Sequence, residues 1–187
     1  MTALSVDLYH WVVDGTPPPP SMFPTVQNGG LVAAKDLAFP HIPGVTYSGK
    51  YNPLRVRDFS TIPPKSGDAY TVLVGRVDAD GNMVDGIRHP NLQAPIGTYT
   101  GWNLRRAGYG EGDQCAGSGS FIPFAATRAE RMASHDPRLS LEERYPTHAD
   151  YVAAVKKAAD DMVRQRLLLP ADAADIVRAA EESSVRR

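Results

Sequence analysis

The sequence has a single cysteine, almost no net charge and no long apolar run, and each shortage excludes a class of protein. The lone thiol of Cys115 cannot form a disulfide within the chain. The 20 basic residues nearly balance the 21 acidic ones, for a net charge of -1, which gives no basis for a nucleic-acid partner. No apolar run approaches the ~18 residues of a membrane span, and residues 1–15 lack a signal-peptide pattern. We therefore expect neither nucleic acid nor membrane as a partner.

Motifs of hydrolytic and metal chemistry are also missing. A serine hydrolase of the α/β type carries its nucleophile in a Gly-x-Ser-x-Gly turn, and neither Ser118 nor Ser120 has glycines at both required positions. The five histidines and one cysteine form no pair with the spacing of a zinc site. We therefore predict no catalytic residue, no metal and no cofactor in this chain. An enzyme that uses Ser118 or Ser120 with His89 is the least favoured alternative.

Proline, in contrast, is abundant and unevenly placed. The 16 prolines are about 9% of the chain, against about 5% in an average protein, and most precede residue 96. Residues 17–20 are four consecutive prolines, which predict a stiff extended spacer. Because prolines also interrupt every apolar stretch up to residue 66, we expect residues 17–66 to be an irregular segment that wraps over a larger body.

The opening residues predict a helix. Leu4, Leu8, Trp11 and Val12 recur with the spacing of one apolar helical face, and Gly15 stands where a left-handed residue would end the helix. A single helix of about a dozen residues is marginal in water. We therefore expect this helix to dock on another part of a protein.

A β-hairpin is predicted in the middle of the chain. Residues 70–77 are rich in β-branched and aromatic side chains, residues 78–82 are a turn cluster, and residues 83–87 can return as a second strand. Asp78, Asp80 and Asn82 alternate as in a calcium-binding loop, but Met83 and His89 occupy the positions that require glycine and glutamate. The pattern therefore favours a turn over a calcium site.

The last third of the chain predicts helices. Capping boxes begin at Thr127 and Ser140, a weaker version of the motif begins at Thr147, and Pro170 can start a further helix. Residues 148–182 should form a helical hairpin with one buried stripe, made of Tyr151, Val155, Ala158 or Ala159, and Met162. We expect residues 183–187 to fray. Taken together, the fold class is α+β, with an N-terminal helix, a long Pro-rich irregular segment, a β-hairpin and a C-terminal helical hairpin.

One block combines the residue types of a binding site. Residues 97–106 contain Tyr99, Trp102, Asn103 and the neighbouring Arg105 and Arg106. Aromatic rings, an amide and guanidinium groups suit a pocket wall that grips a ring or a carboxylate. The structural alternative is that the rings fill an interface while the arginines lie in solvent.

Several blocks resemble one family. They resemble, in the same order, the C-terminal region of the large bacterial proteins described as alpha/beta hydrolase domain-containing. The blocks are residues 11–21, 77–82 and 86–88, GTYTGWNLR at residues 97–105, GSFIPFA at residues 119–125, TRAER at residues 127–131 and SLEERY at residues 140–145.

The resemblance implies a role for each part of the chain. Residues 1–16 would be the last core helix of a hydrolase-like fold, 17–66 a wrapping segment, 67–126 the hairpin and aromatic/arginine region, and 127–187 a helical region. The catalytic serine, acid and histidine of the family would precede residue 4. The chain would then be the C-terminal portion of a carboxylic-ester hydrolase, not catalytic on its own, and its partner would be the remainder of that domain.

The same resemblance suggests a substrate region. Tyr99, Trp102, Asn103 and Arg105 would line or support the entrance for a small ester in the parent protein. The alternative is a self-sufficient binding or interaction domain, which would use the block of residues 99–106 and present the helical hairpin to a partner.

Overall fold

The computed structural model describes residues 2–49, 51, 54–111, 113–115 and 117–187. In these ranges the helices are α1 (Thr2–Asp14), α2 (Pro90–Gln93), α3 (Arg128–Ser134), α4 (Leu141–Arg144), α5 (His148–Arg164) and α6 (Pro170–Glu182). The strands are β1 (Leu31–Ala33), β2 (Arg55–Asp58), β3 (Lys65–Ala69), β4 (Leu73–Gly75), β5 (Gly97–Thr100), β6 (Asn103–Leu104), β7 (Gln114–Cys115) and β8 (Ser120–Pro123). This mixture of helices and small antiparallel sheets confirms the α+β prediction.

The strands pair into four separate two-stranded antiparallel ladders, β1 with β4, β2 with β3, β5 with β8, and β6 with β7. The β5–β8 ladder is regular, with Gly97 opposite Pro123 and Thr100 opposite Ser120. Gly97 and Gly119 both lie where an added Cβ would collide with the opposite strand. The glycines around Ser118 and Ser120 therefore partly serve close strand pairing.

Helix α1 forms as predicted and Gly15 ends it with a φ of 74°. Its predicted apolar face, however, is not covered. Leu8 is 55% exposed, Trp11 54% and Val12 77%. The buried residues of α1 are Ala3 and Asp7. The helix therefore presents its large apolar side chains to solvent.

The proline-rich segment has two different parts. Ile42 is almost fully buried, and the Tyr47 hydroxyl donates to the Ala34 carbonyl at 3.1 Å, so the middle of the segment packs on the chain itself. The β2–β3 hairpin is exposed along its whole length, and Phe59 near its tip is 77% exposed. A two-stranded hairpin is marginally stable alone in water.

The predicted strand at residues 70–77 is too long. Only β4, Leu73–Gly75, is a strand, and its ladder partner is β1. The physical reason is that the Tyr70 amide donates to the Leu54 carbonyl at 2.8 Å, so it belongs to the preceding hairpin. The predicted return is reduced to a bridge between Val77 and Met83.

All three predicted capping boxes are present. The side chains of Thr127, Ser140 and Thr147 each accept a hydrogen bond from the backbone amide of the residue three positions later. The carboxylate of that later residue in turn accepts a hydrogen bond from the backbone amide of the cap residue. Pro170 stands in the first turn of α6, as expected. These caps satisfy backbone amides that otherwise lack partners at a helix start.

The main core lies where α5 meets α6, α2 and the loop after α4. Its buried members are Ala94, Tyr145, Tyr151, Val155 and Ala180. The predicted stripe of α5 is confirmed, since Tyr151, Val155, Ala158, Ala159 and Met162 are all buried. No helix among the described residues is both long and apolar enough to cross a membrane.

The prediction that residues 183–187 fray is wrong. Val185 packs against the core, and its carbonyl lies 2.6 Å from the His148 ring nitrogen Nδ1. The Arg186 guanidinium donates to the carbonyls of Tyr145 and Pro146 at 2.9 and 3.1 Å. These contacts supply the chain end with partners that its sequence alone does not reveal.

Candidate functional site

The turn at residues 78–82 docks on strand β5 through one buried amide. The Asn82 side chain is fully buried; its Nδ2 donates to the Gly97 carbonyl at 3.1 Å and its Oδ1 accepts the Tyr99 amide at 2.8 Å. The Asp78 carboxylate accepts the backbone amides of Asp80 and Asn82, both at 3.0 Å. The Asn82 side chain therefore fixes the turn to the start of the aromatic/arginine block of residues 97–106, which we call the Tyr99 block.

Behind β5 lies a buried arginine. The Arg138 guanidinium donates to both carboxylate oxygens of Asp136, to the Thr98 hydroxyl at 2.9 Å, and to the carbonyls of Ile122 and Pro123 at 3.0 and 3.1 Å. Burial alone would raise the pKa of Asp136, but hydrogen bonds from Arg138 lower it below its ordinary value. Because Arg138 is fully partnered, it fixes the β5–β8 ladder against the segment before α4.

A second arginine supports the same region. Arg144 forms an ion pair with Asp80, and its guanidinium lies 4.1 Å from the centre of the Phe124 ring. Arg138 lies 5.1 Å from the centre of that ring. Phe124 is therefore in contact with two cations, an arrangement that aromatic rings favour electrostatically. The contacts tie the turn, β8 and α4 together.

The rings of Phe39, Tyr47 and Trp102, which are distant in sequence, form an aromatic cluster. The ring centres of Phe39 and Tyr47 are 5.3 Å apart with an interplanar angle of 29°, and Trp102 lies 5.5 Å from Phe39. Burial raises the pKa of the Tyr47 hydroxyl, which contacts the Tyr51 hydroxyl at 3.3 Å. This cluster packs the irregular segment onto the Tyr99 block.

The aromatic cluster borders a cavity of about 320 Å³. We call it the aromatic cavity, and its described lining carries no charged side chain. The lining residues are Leu37, Phe39, Tyr51, Val74, Gly75, Val77, Gly81, Met83, Tyr99, Thr100, Gly101, Trp102 and Gln114. A mostly apolar pocket with a few polar groups is typical of small-molecule sites.

One polar group of the aromatic cavity lacks a partner. The Gln114 Nε2 atom is buried and has no hydrogen-bond partner among the described residues. An unsatisfied buried amide donor costs free energy of about 1–3 kcal/mol. Gln114 stands opposite Leu104 in the β6–β7 ladder, which holds its side chain at the cavity wall.

The predicted site residues divide into two groups. Tyr99 and Trp102 line the aromatic cavity, and burial raises the pKa of the Tyr99 hydroxyl. Asn103 and Arg105 are exposed, and the Asn103 side chain caps the adjacent Leu104 amide at 2.8 Å. Arg106 stacks on Tyr109, 4.6 Å from its ring centre. Of the four predicted site residues, the structure thus brings Tyr99 and Trp102 to the cavity and leaves Asn103 and Arg105 outside its lining.

The serine–histidine alternative has no geometric support. The Ser120 hydroxyl donates to the Trp102 carbonyl at 3.2 Å. The His89 Nδ1 atom accepts the Asn91 amide at 3.3 Å, as the cap of α2, and burial lowers the pKa of its ring. Both groups are therefore engaged in local structure. Cys115 is a free, half-buried thiol.

The residues of the calcium-like turn have protein partners. Asp80 is paired with Arg144, Asp78 lies 3.6 Å from Arg88, and Asn82 is bound to β5. Over the described ranges, no group of three or more histidine, cysteine or acidic residues is arranged to hold a metal ion.

Sequence reasoning missed most of the residues that line the aromatic cavity. Phe39, Tyr51, Met83 and Gln114 lie far apart in sequence, and each looks like an ordinary apolar or polar residue in its local context. No spacing rule connects them. Their only local signal is that Phe39 and Tyr51 are aromatic residues in an otherwise irregular proline-rich segment.

Comparison with known proteins gives one match. Residues 1–178 match the family model described as Alpha/beta hydrolase domain. Neither a curated protein nor a solved structure matches the chain. The matched range includes α1, every described strand and most of α6.

Proposed function

The chain belongs to the alpha/beta hydrolase domain family, and we propose that it forms the C-terminal, non-catalytic part of a carboxylic-ester hydrolase of this family. In this proposal the catalytic serine, acid and histidine lie on another part of the hydrolase domain. The aromatic cavity belongs to the substrate side of that enzyme. The observation that carries the proposal is the uncovered apolar face of α1.

The exposed face of α1 is unusual for a stable isolated helix. Leu8, Trp11 and Val12 are each more than half exposed, and Val13 is 62% exposed. Exposed apolar side chains that form a continuous surface mark interaction sites. A last core helix of a hydrolase fold would bury such a face against a sheet, so we assign the remainder of the hydrolase domain as the partner of α1.

The contacts of α1 with the described chain are correspondingly few. The Asp7 carboxylate lies 3.7 Å from the Arg166 guanidinium, which also donates to the Pro17 carbonyl at 2.7 Å. A cavity of about 400 Å³ separates α1 from the loop between α5 and α6. These polar contacts hold α1 near the end of α5, while the side that carries Leu8, Trp11 and Val12 is free for docking.

Apolar side chains outside α1 are exposed as well. Phe23 is 62% exposed and Val26 64%, in the segment that follows the four prolines. Leu54 and Ile62 are also exposed on or beside the β2–β3 hairpin. The proposal assigns these side chains, too, to contact with the rest of the domain.

The proposal is tested with the purified chain, an apolar fluorescent dye and p-nitrophenyl acetate. We expect the dye to bind, binding to fall in Leu8→Glu, and no ester turnover above the buffer rate. Leu139→Glu is the matched control, because Leu139 is 47% exposed and belongs to the loop before α4 and not to α1. A chain that does not bind the dye, or that hydrolyses the ester, contradicts the proposal.

The second candidate function is a self-sufficient binding domain. It is favoured by the fact that α2, α5 and α6 close a core of their own around Val155 and Ala180. In this alternative the aromatic cavity binds a ligand without any further domain, and α1 stays solvent-exposed. A monomeric chain whose stability and dye binding do not change in Leu8→Glu would favour this candidate over the first.

A further inference from the structure

We propose that His148 is a proton-dependent clamp. With both ring nitrogens protonated, it fastens the terminal segment, residues 183–187, to the start of α5 and the end of α6. When the ring loses one proton, the terminal segment is held more weakly. This segment lies outside residues 1–178, the range that matches the family model, and the clamp does not involve the ester-hydrolase assignment.

Both ring nitrogens of His148 face carbonyl oxygens. Nδ1 lies 2.6 Å from the Val185 carbonyl oxygen, and Nε2 lies 3.1 Å from the Glu181 carbonyl oxygen. A carbonyl oxygen only accepts hydrogen bonds, and a neutral imidazole has one N–H group whereas an imidazolium has two. The neutral ring therefore donates to one of these oxygens and turns a lone pair towards the other. The doubly protonated ring donates to both.

The Glu181 contact lies at the C-terminal end of α6. The last four carbonyls of an α-helix have no partner within the helix, and their partial negative charge favours a cation nearby. Protonated His148 supplies such a cation. Because His148 is also the first residue of α5, where the dipole of that helix opposes positive charge, the preference for the cation comes from the two carbonyls and the end of α6.

The Val185 contact holds the terminal segment beside the core. Val185 packs against the core cluster that contains Tyr145 and Tyr151. The Arg186 guanidinium also anchors the segment, on the carbonyls of Tyr145 and Pro146, and a guanidinium stays charged at every pH that a folded protein meets. The arginine contacts therefore keep a constant strength, and only the His148 contacts change with pH.

The other charged groups on the elements that meet here keep their charge near neutral pH. They are the carboxylates of Asp150, Glu181 and Glu182, the guanidiniums of Arg186 and Arg187, and the terminal carboxylate. Burial raises the pKa of the Tyr145 and Tyr151 hydroxyls above its ordinary value. His89 lines a cavity beside Met162, near the other end of α5. The His148 ring is therefore the group at this corner whose charge changes between pH 5.5 and pH 8.5.

Carboxypeptidase B, which removes C-terminal arginine, can read the clamp on the 187-residue chain. Intact mass follows the loss of Arg187 at pH 5.5 and pH 8.5. Each rate is divided by the rate on the free peptide of residues 183–187, which cancels the pH dependence of the protease. Cleavage of a rapidly opening segment follows the population of its open form. We expect the normalised rate to be about tenfold lower at pH 5.5, which corresponds to about 1.4 kcal/mol for one hydrogen bond.

Two substitutions separate the proton from the packing of the ring. His148→Phe keeps a flat ring without a donor, so we expect a high normalised rate that is equal at both pH values. His148→Asn keeps one amide donor near the position of Nδ1 and has no titrating group. We expect its rate to be independent of pH and close to that of wild type at pH 8.5. His41→Phe is the matched control, since His41 is exposed in the irregular segment, and its pH dependence should equal that of wild type.

The proton itself can be followed through the ¹⁵N chemical shifts of the His148 ring. We expect both nitrogens to carry protons at pH 5.5, and the loss of one proton to cover the same pH interval as the rise in Arg187 release. Circular dichroism verifies that each variant is folded at both pH values. Three results would overturn the proposal: a normalised wild-type rate that does not change with pH, an unchanged pH dependence in folded His148→Phe, and release of Arg187 in an interval where the ring does not titrate.

Discussion

Arg138 and Asp136 form a buried ion pair whose Nη2 and Oδ2 atoms are 2.6 Å apart, with side chains 2% and 7% exposed. The guanidinium also binds the Thr98 hydroxyl and two carbonyls of β8. A pair of charges in this position connects the loop before α4 to the strand that carries Tyr99. Its integrity therefore determines whether the wall of the aromatic cavity is held in place.

Removing Arg138 should strongly destabilise the fold. In Arg138→Leu the Asp136 carboxylate stays buried without its partner, and we expect a loss of about 3–5 kcal/mol in the free energy of unfolding. Urea unfolding measures it. The matched control is Arg178→Leu, whose ion pair with Asp175 is more than 60% exposed on both sides and should cost at most about 1 kcal/mol. Equal losses in the two variants would contradict the structural role of Arg138.

Position 81 requires glycine for two reasons, its backbone conformation and its close approach to Phe39. Its φ is 80°, and an added Cβ would lie 3.0 Å from the Phe39 ring. We expect Gly81→Ala to lower stability by about 1–2 kcal/mol for the left-handed backbone alone, and to displace the aromatic cluster. In Gly101→Ala, where nothing lies within 4 Å of the added Cβ, stability should be unchanged or slightly higher. Thermal unfolding of both variants compares them directly.

The Thr147 cap of α5 should make its own contribution to the free energy of unfolding. Thr147 accepts the Asp150 amide at 3.2 Å, so Thr147→Ala should cost about 1 kcal/mol. Thr147→Ser keeps the hydroxyl and should restore most of that loss. Chemical unfolding of the three chains makes the comparison, and equal stability of wild type and Thr147→Ala would show that this box does not stabilise the helix.

Acid should weaken the α3–α4 junction through Glu143. Its carboxylate accepts from the backbone and hydroxyl of Ser140, and from Arg131 at 2.8 and 3.1 Å, which lowers the pKa of Glu143 from 4.5 to about 2. A lowered pKa means that the fold favours the ionised form. Its stabilising effect is thus complete above pH 4.5 and disappears as the pH falls to about 2.

Comparison with Glu143→Gln isolates this effect. The variant should be less stable than wild type at pH 7, and the difference should shrink between pH 4.5 and pH 2. Unfolding curves collected across that interval measure it. A stability difference that is constant over the interval would show that Glu143 titrates as it does in the unfolded chain.

Alkali should destabilise the fold through Tyr145. Burial raises the pKa of Tyr145 from 10.0 to about 12, and its hydroxyl donates to the Pro95 carbonyl at 3.0 Å. The neutral phenol is favoured by the fold, so its contribution is present below pH 10 and is lost as the pH rises to about 12. Tyr145→Phe should be less stable than wild type at pH 8 and should lose less stability between pH 10 and 12. Parallel slopes in that interval would contradict the assignment.

The parts of the fold that were predictable are those set by neighbours in sequence. Each capping box needs residues only three positions apart, so Thr127, Ser140 and Thr147 could be identified directly. The same holds for Gly15 at the end of α1. Helix periodicity also predicted which side of α5 is buried, because its apolar residues recur along one face of the helix.

Features that depend on distant partners were not predictable. Arg138 binds Thr98, which lies 40 residues away, and nothing local distinguishes Arg138 from a surface arginine. Gln114 reaches the aromatic cavity only because β7 pairs with β6. The same limit explains the chain end, where the contacts of Val185 and Arg186 involve residues about 40 positions earlier. The period of α1 predicted an apolar face but not that the described chain leaves it uncovered.

We propose that this chain carries no assembled acyl-transfer site of its own. The most direct measurement is reaction of the purified chain with a fluorophosphonate, which labels activated serines, followed by intact-mass and peptide mass spectrometry. We predict that no serine is phosphonylated, Ser118 and Ser120 included. A stoichiometric adduct at either of these serines, or at any other, would contradict the account.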